Sequence, residues 1–327
     1  MRAMQCSAFA LAVSLAGALI AWDAPSQADP WPQRTVRVIV PLPPGTSTDL
    51  AARLFAEKLS ARWHQPVVIE NRQGADAIPA VSGFVNARDD HTLLCSFAGI
   101  ITINPLIYEK LPYDPLRDVV PVASIADNFV GIAVSEMLKV KSLEGFITVA
   151  RAQPTKLSWA ATPGVPLYAL AALQHSTGVE MVQVSYRDFT PALQDVGEGR
   201  IHVIATGLAL MLPQVQAGKI RLLMLNSRQR SPQAPETPTA SETGHPELTF
   251  DSVVGFYGWR DISTDLKERI AADVRAVATD PVIAARLTNS GSALRVGTPA
   301  EFAAAIEQQR AQIAAIARTM KPTKPTH

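Results

Sequence analysis

Cysteine is almost missing from this chain, with two in 327 residues, at positions 6 and 95. The first falls inside an N-terminal segment of 28 residues that reads as removable, and what remains holds Cys95 alone, which excludes an intramolecular disulfide. Aromatic residues are scarce at 6%, and charged residues reach only 18%. Lysine plus arginine number 30 against 29 aspartate plus glutamate, so the formal charge is +1 and the broad basic footprint of a nucleic-acid or anionic-membrane binder is excluded. No apolar run reaches the roughly 20 residues that a membrane-spanning helix needs. Catalytic signatures are missing too. The six histidines, at 64, 91, 175, 202, 245 and 327, share no metal-ligand spacing, and HExxH, CxxC, GxGxxG and the Walker glycine loop are absent. In Gly45-Thr46-Ser47-Thr48-Asp49, Asp49 stands where a hydrolase elbow would have its second glycine. No metal, cofactor or enzymatic role is expected.

What is present describes an exported globular protein. Hydrophobic residues make up 47%, enough for full-sized cores, and the length suits about two domains. Arg2, an apolar run from Ala8 to Ala21, and small residues at Ser26 and Ala28 form a secretory signal peptide over residues 1–28, cut before Asp29. Cys6 precedes the apolar run, so it is not a lipid-modified cysteine. A mature chain with no spanning segment is expected to be soluble in the periplasm, without membrane insertion.

Short β-branched runs alternate with stretches of helical period, the pattern of α/β domains. Strands are expected at 35–40, 66–70 and 92–96, with helices carrying Leu50, Leu54, Leu59 and Trp63 and spanning 79–87. A second series opens at Val130: strands at 157–161, 181–186, 201–206 and 220–225, helices at 167–177 and 190–196. The prolines of Leu111–Pro115 and of Ser231–Pro246 mark loops. Asp280-Pro281 starts a helix that Gly291 stops, Thr298-Pro299-Ala300-Glu301 is a capping box before a helix to about Thr319, and Lys321–His327 is a tail. Cys95 reads as a small core residue, and Asp114, Asp118 and Asp127 as solvated surface carboxylates.

One turn carries chemistry. Pro43 to Asp49 joins a strand's carboxyl end to a helix start, where free N–H groups and the helix dipole favour an anion. Gly45 admits a conformation closed to other residues, and Thr46, Ser47 and Thr48 add hydroxyl donors. Composition alone equally fits an N-cap at Thr46 or Ser47 with Asp49 as a first-turn acid.

The ordered strings VIVPLPPGTSTDLAARL, VVIENRQGA, LPYDPLRDVVPVA, VSYRDFTPALQDVGEGRI, AGKIRLL and RQRSPQAPETPTASETG resemble the extracytoplasmic receptors of the tripartite tricarboxylate transporter family across the mature chain. The resemblance implies a bilobed α/β periplasmic binding protein of type II: two α/β lobes joined by a hinge, one spanning 29–126 plus 255–327 and the other 127–254. It implies a monomer that captures a small carboxylate or related molecule for membrane permease subunits, with no catalysis. A sensor subunit presenting its closed form to a membrane kinase is the second possibility, and a secreted hydrolase a remote third. Pro44, Gly45 and Asp49 match the family's turn, with Thr46 in place of a glycine and Ser47 beside it. Phe97 and Ala98 follow the third strand. Thr162 and Gly164 fall in the small-residue loop of the second lobe, and Tyr186 and Arg187 match the family's tyrosine and basic residue. Asp188 replaces a glycine and sets a carboxylate near the expected ligand. Gly74-Ala75-Asp76-Ala77-Ile78-Pro79 departs from the usual glycine-rich stretch.

Overall fold

The run of valines after Thr35 has the stiff, β-branched side chains that pack on a pleated surface. In a computed structural model, which describes residues 31–186 and 189–318, it forms β1 (Val36–Val40), buried at every position but Arg37. The expected signal peptide, Arg187, Asp188 and the tail from Lys321 lie outside the described residues. Ten further strands follow in order: β2 (Val67–Asn71), β3 (Thr92–Phe97), β4 (Val119–Asn128), β5 (Val130–Ser135), β6 (Ser158–Ala161), β7 (Val182–Gln183), β8 (Val203–Gly207), β9 (Ile220–Leu225), β10 (Val253–Trp259) and β11 (Ser292–Leu294).

They make two sheets, with orders β11-β4-β10-β3-β1-β2 and β7-β6-β8-β5-β9. Within the first, β2, β1 and β3 run parallel, while β10 is antiparallel to both β3 and β4. In the second, β7, β6 and β8 run parallel and β5 is antiparallel to β8 and β9. Helices link the parallel strands, as crossovers between them require, giving the expected two-sheet α/β architecture. The chain passes from β4 to β5 through Phe129 alone and returns through β9 and the segment leading to β10. Asn128 N donates to Ser252 O at 3.1 Å, and Phe129 N to Gly291 O at 3.2 Å, tying the passing strands together.

The capping box at Thr298 and Glu301 forms as expected and starts a helix over Pro299–Ala317. Phe302, Ala305 and Ile306 of this helix enter the core of the first sheet, beside Leu94, Val253 and Tyr257. About two turns further along, Ile313 enters the core of the second, beside Phe146, Leu170 and Phe250. Between them, buried Gln309 accepts from Thr102 Oγ1 at 2.9 Å and donates to the carbonyl of Asp251.

Two expectations are corrected. The strand at 181–186 shrinks to two residues, both exposed, because it is the sheet edge and pairs with β6 alone. A strand not expected from the sequence, β4, runs ten residues through Pro121, and a register shift in the ladder with β10 falls beside the proline that cannot donate. Asp118 and Asp127 are not solvated. Asp118 is 5% exposed and takes Arg117 Nε at 2.8 Å and Nη2 at 3.1 Å, while Asp127 accepts Ser252 N at 2.8 Å and pairs with Arg295 Nη1 at 2.9 Å. A carboxylate withdrawn from water must find such donors; Asp118 takes them from the adjacent residue in sequence, whereas local sequence does not show that distant Arg295 will serve Asp127. Asp114 is exposed, as expected.

Candidate functional site

Parallel strands deliver their following loops to one edge of a sheet. From β1, β2 and β3 come residues 41–46, 72–77 and 98–107, and from β6 and β8 come 162–164 and the start of the helix Leu208–Gln216.

The turn after β1 is built around one carboxylate. Asp49 is 1% exposed at its side chain, and its two oxygens accept Gly45 N at 2.8 Å, Arg53 Nε at 3.0 Å and Asn71 Nδ2 at 2.8 Å. Burial pushes its pKa up, but the bonds from Arg53, Asn71 and Gly45 outweigh that and hold it below the usual range. Asn71 reaches on to Leu42 O at 2.9 Å and accepts Arg53 Nη2 at 2.8 Å, so β2 and the helix Ser47–Trp63 both brace the turn. Gly45 takes φ +85°, a conformation a side chain would strain, with its Cβ direction open. Thr46 is the N-cap: its Oγ1 donates to Pro43 O at 3.0 Å and accepts Asp49 N at 3.4 Å. The capping arrangement weighed for this turn is therefore present, with Thr46 as the cap. Thr46 and Asp49 do the structural work, and the hydroxyl of Ser47 with the first helical amides, Ser47 N and Thr48 N, has no partner among the described residues. Pro44 and Gly45 are exposed beside them.

The second sheet answers with two glycine-led helix starts. Gly164, at φ +91° and ψ −144°, occupies a region essentially reserved for glycine and opens the helix Val165–Thr177. Gly207 opens the helix Leu208–Gln216. Thr162 is fixed by its amide, donating to Ala205 O at 3.1 Å, and by its hydroxyl, donating to buried Thr206 at 3.2 Å. The loops of the two sheets approach closely: a methyl placed on Gly164 would lie 4.0 Å from Ile103 Cδ1, on the segment that follows Phe97 and Ala98. Ala98 is buried and donates its amide to Val253 O at 3.0 Å, while the half-buried ring of Phe97 covers Gly99.

Tyr186 follows β7 in the second sheet. Its hydroxyl donates to Asp195 Oδ2 at 2.6 Å and its pKa is pushed up to about 12 by burial and that carboxylate, so its polar end is engaged within the second sheet's helices. Arg187 and Asp188, next in sequence, lie outside the described residues. Cys95 is fully buried, and burial pushes its thiol far up, as fits a core residue. The residues that sequence reasoning overlooks here are Arg53, Asn71 and Thr206. Arg53 was visible as the cation four places after Asp49 on one helix face, but Asn71 and Thr206 act through contacts far apart in the chain.

The profile of the tripartite tricarboxylate transporter family receptor matches residues 51–321. Protein BugT of Bordetella pertussis is 32% identical over 229 residues, 69% of this chain and 70% of that one. Among solved structures, R. palustris Rpa4515 with adipate is 30% identical with a TM-score of 0.79, over 89% of this chain and 98% of that one. MatC (Rpa3494) from Rhodopseudomonas palustris, with bound malate, is 25% identical with a TM-score of 0.75, over 88% and 100%. No helix among the described residues is long and apolar enough to cross a membrane.

Proposed function

Since the chain belongs to the tripartite tricarboxylate transporter receptor family, we propose that it is an exported periplasmic receptor that captures a small organic carboxylate and hands it to the permease subunits of a membrane transporter. The supporting observation is the turn at Gly45–Ser47, where a buried, fully bonded Asp49 holds a helix start whose first amides and Ser47 hydroxyl point to no protein partner. Each hydrogen bond to a charged group contributes roughly 1.5–3 kcal/mol, and two or three approach the ~8 kcal/mol of a micromolar complex without any lysine or arginine. The relatives solved with adipate and with malate support the ligand class.

In this reading the lobes comprise residues 29–126 with 255–327, and 127–254, and they close over the ligand, with Thr162 and Gly164 opposing the turn. Calorimetric titration with adipate, malate and shorter monocarboxylates tests it. Ser47→Ala is expected to weaken binding tenfold to a hundredfold for the lost donor, roughly 1.5–3 kcal/mol. Saturating ligand is expected to lower the radius of gyration measured by small-angle scattering. Unchanged affinity in a folded Ser47→Ala protein, or an unchanged radius, refutes the arrangement. Residues 1–28 are proposed to be removed on export. Intact mass should then correspond to a chain beginning at Asp29, and retention of Met1 would count against it.

A further inference from the structure

The loop after β2 holds two neighbouring non-glycine residues in the left-handed region, Asp76 at φ +50° and Ala77 at φ +67°, behind Gly74 at φ +110°. Such conformations persist only where the surroundings enforce them. Here Ala77 N donates to Gly74 O at 3.0 Å, and buried Asn104 donates its side-chain amide to the backbone oxygen of Asp76 at 2.8 Å. The side chain of Asp76 is fixed as well, with Oδ2 accepting from the hydroxyl of Tyr108. That phenol is pushed up to about 12, chiefly by this bond, so it remains a donor at every physiological pH. Oδ1 of Asp76 has no partner among the described residues, and Asp76 as a whole is exposed.

The position matters. Asn104 follows Ile103, the residue 4.0 Å from a methyl placed on Gly164 of the second sheet. The same edge carries the Ser47 turn, to which β2 is joined by Arg72 N donating to Val40 O at 2.9 Å and by Asn71 reaching Leu42 and Asp49. Among the described residues, Arg53 and Arg72 beside these loops are engaged with other carboxylates, Asp49 and Glu70 respectively. An oriented carboxylate oxygen thus lies in the loop after β2, on the sheet edge that also carries the Ser47 turn after β1.

We propose that Asp76 is a specificity-determining residue of this site, selecting a carboxylate that also bears an ammonium or amide donor over a plain dianion. The inference rests on the carboxylate-binding role proposed above. An ionised carboxylate only accepts hydrogen bonds, so it rewards a donor on the ligand and repels a second carboxylate placed next to it.

The test compares succinate with succinamate and 4-aminobutyrate, and glutarate with 5-aminovalerate, by calorimetry on wild type, Asp76→Asn and Asp76→Gly. Wild type is expected to prefer the donor-bearing member of a pair by tenfold or more. Asp76→Asn keeps an oxygen for Tyr108 but removes the charge, and is expected to cut that preference by about tenfold, mainly through tighter dianion binding. Asp76→Gly suits the backbone conformation, removes the carboxylate and should behave alike, so failure of one variant to fold does not rescue the idea. If carboxylates bind and Ser47→Ala weakens them but the preference is the same in all three proteins, this inference falls and the receptor role stands. If none of the five compounds, adipate or malate binds wild type, both fall together.

Discussion

Asp49→Ala is expected to weaken ligand binding by at least a hundredfold and to lower the free energy of unfolding by about 2–4 kcal/mol. The carboxylate is buried and serves three donors at once: Gly45 N, Arg53 and Asn71. Removing it leaves the turn amide and the Asn71 side chain short of an acceptor, and each such loss costs about 1–3 kcal/mol. Arg53 is half exposed and regains water, which keeps the total below the sum of the parts. Binding suffers more than stability because the two free helical amides are aimed by this bracket. Acid should expose the same group. Its folded pKa lies below the ordinary 3.8, so its contribution is present in full above about pH 5 and is lost as pH falls through 3.8 toward the folded value. Asp49→Asn should remove that part of the acid dependence. Urea unfolding between about pH 2.5 and 6 measures it, and parallel stability curves for wild type and Asp49→Asn would refute the assignment.

Gly255→Ala should be the most damaging single methyl in the fold. Gly255 lies in the middle of β10, between β3 and β4, and a Cβ there would sit 2.5 Å from the carbonyl oxygen of Ala123 and 2.5 Å from the ring of Phe302. Overpacking of this kind typically costs 1–3 kcal/mol, and the cost rises when the obstacle is backbone. We expect about 3 kcal/mol or more, with much of the protein lost to the insoluble fraction. Phe302→Leu in the Gly255→Ala background relieves the ring contact but not the carbonyl contact, so it should recover only part of the loss. A measured cost below about 1 kcal/mol would mean that the ladder between β4 and β10 yields more readily than its geometry indicates.

How much of this was legible depends on whether the cause was local. β1, the helix Ser47–Trp63 and the capping box at Thr298 follow from short-range rules of β-branching, periodicity and capping, and the structure agrees with them. The helix Pro281–Asn289, with Asp280 as its cap, and Gly291 beyond it at φ +75° follow the same logic. β4 was hidden because its pairing with β10 spans more than a hundred residues and absorbs Pro121. In the site, the turn was legible and its bracing was not: Thr46 declares itself as a cap, whereas the partnership of Asp49 with Asn71 depends on β1 and β2 lying side by side. Tyr186 was singled out through the family resemblance, but its bond to Asp195, nine residues on, was not foreseen because it depends on how the segment after β7 meets the next helix.

The place of β10 between β3 and β4 also governs when this protein can fold. Those two strands are made early in synthesis, yet their only bridge is a strand that begins at Val253. Until it is synthesised, β3 and β4 each present an unpaired edge, and the core beside them lacks Phe302 and Ile306 of the helix Pro299–Ala317. The N-terminal half therefore has no completed sheet to close into while the chain is still growing. For the export proposed above, a fold in which β3 and β4 wait for β10 delays closure of the first sheet until most of the chain is made.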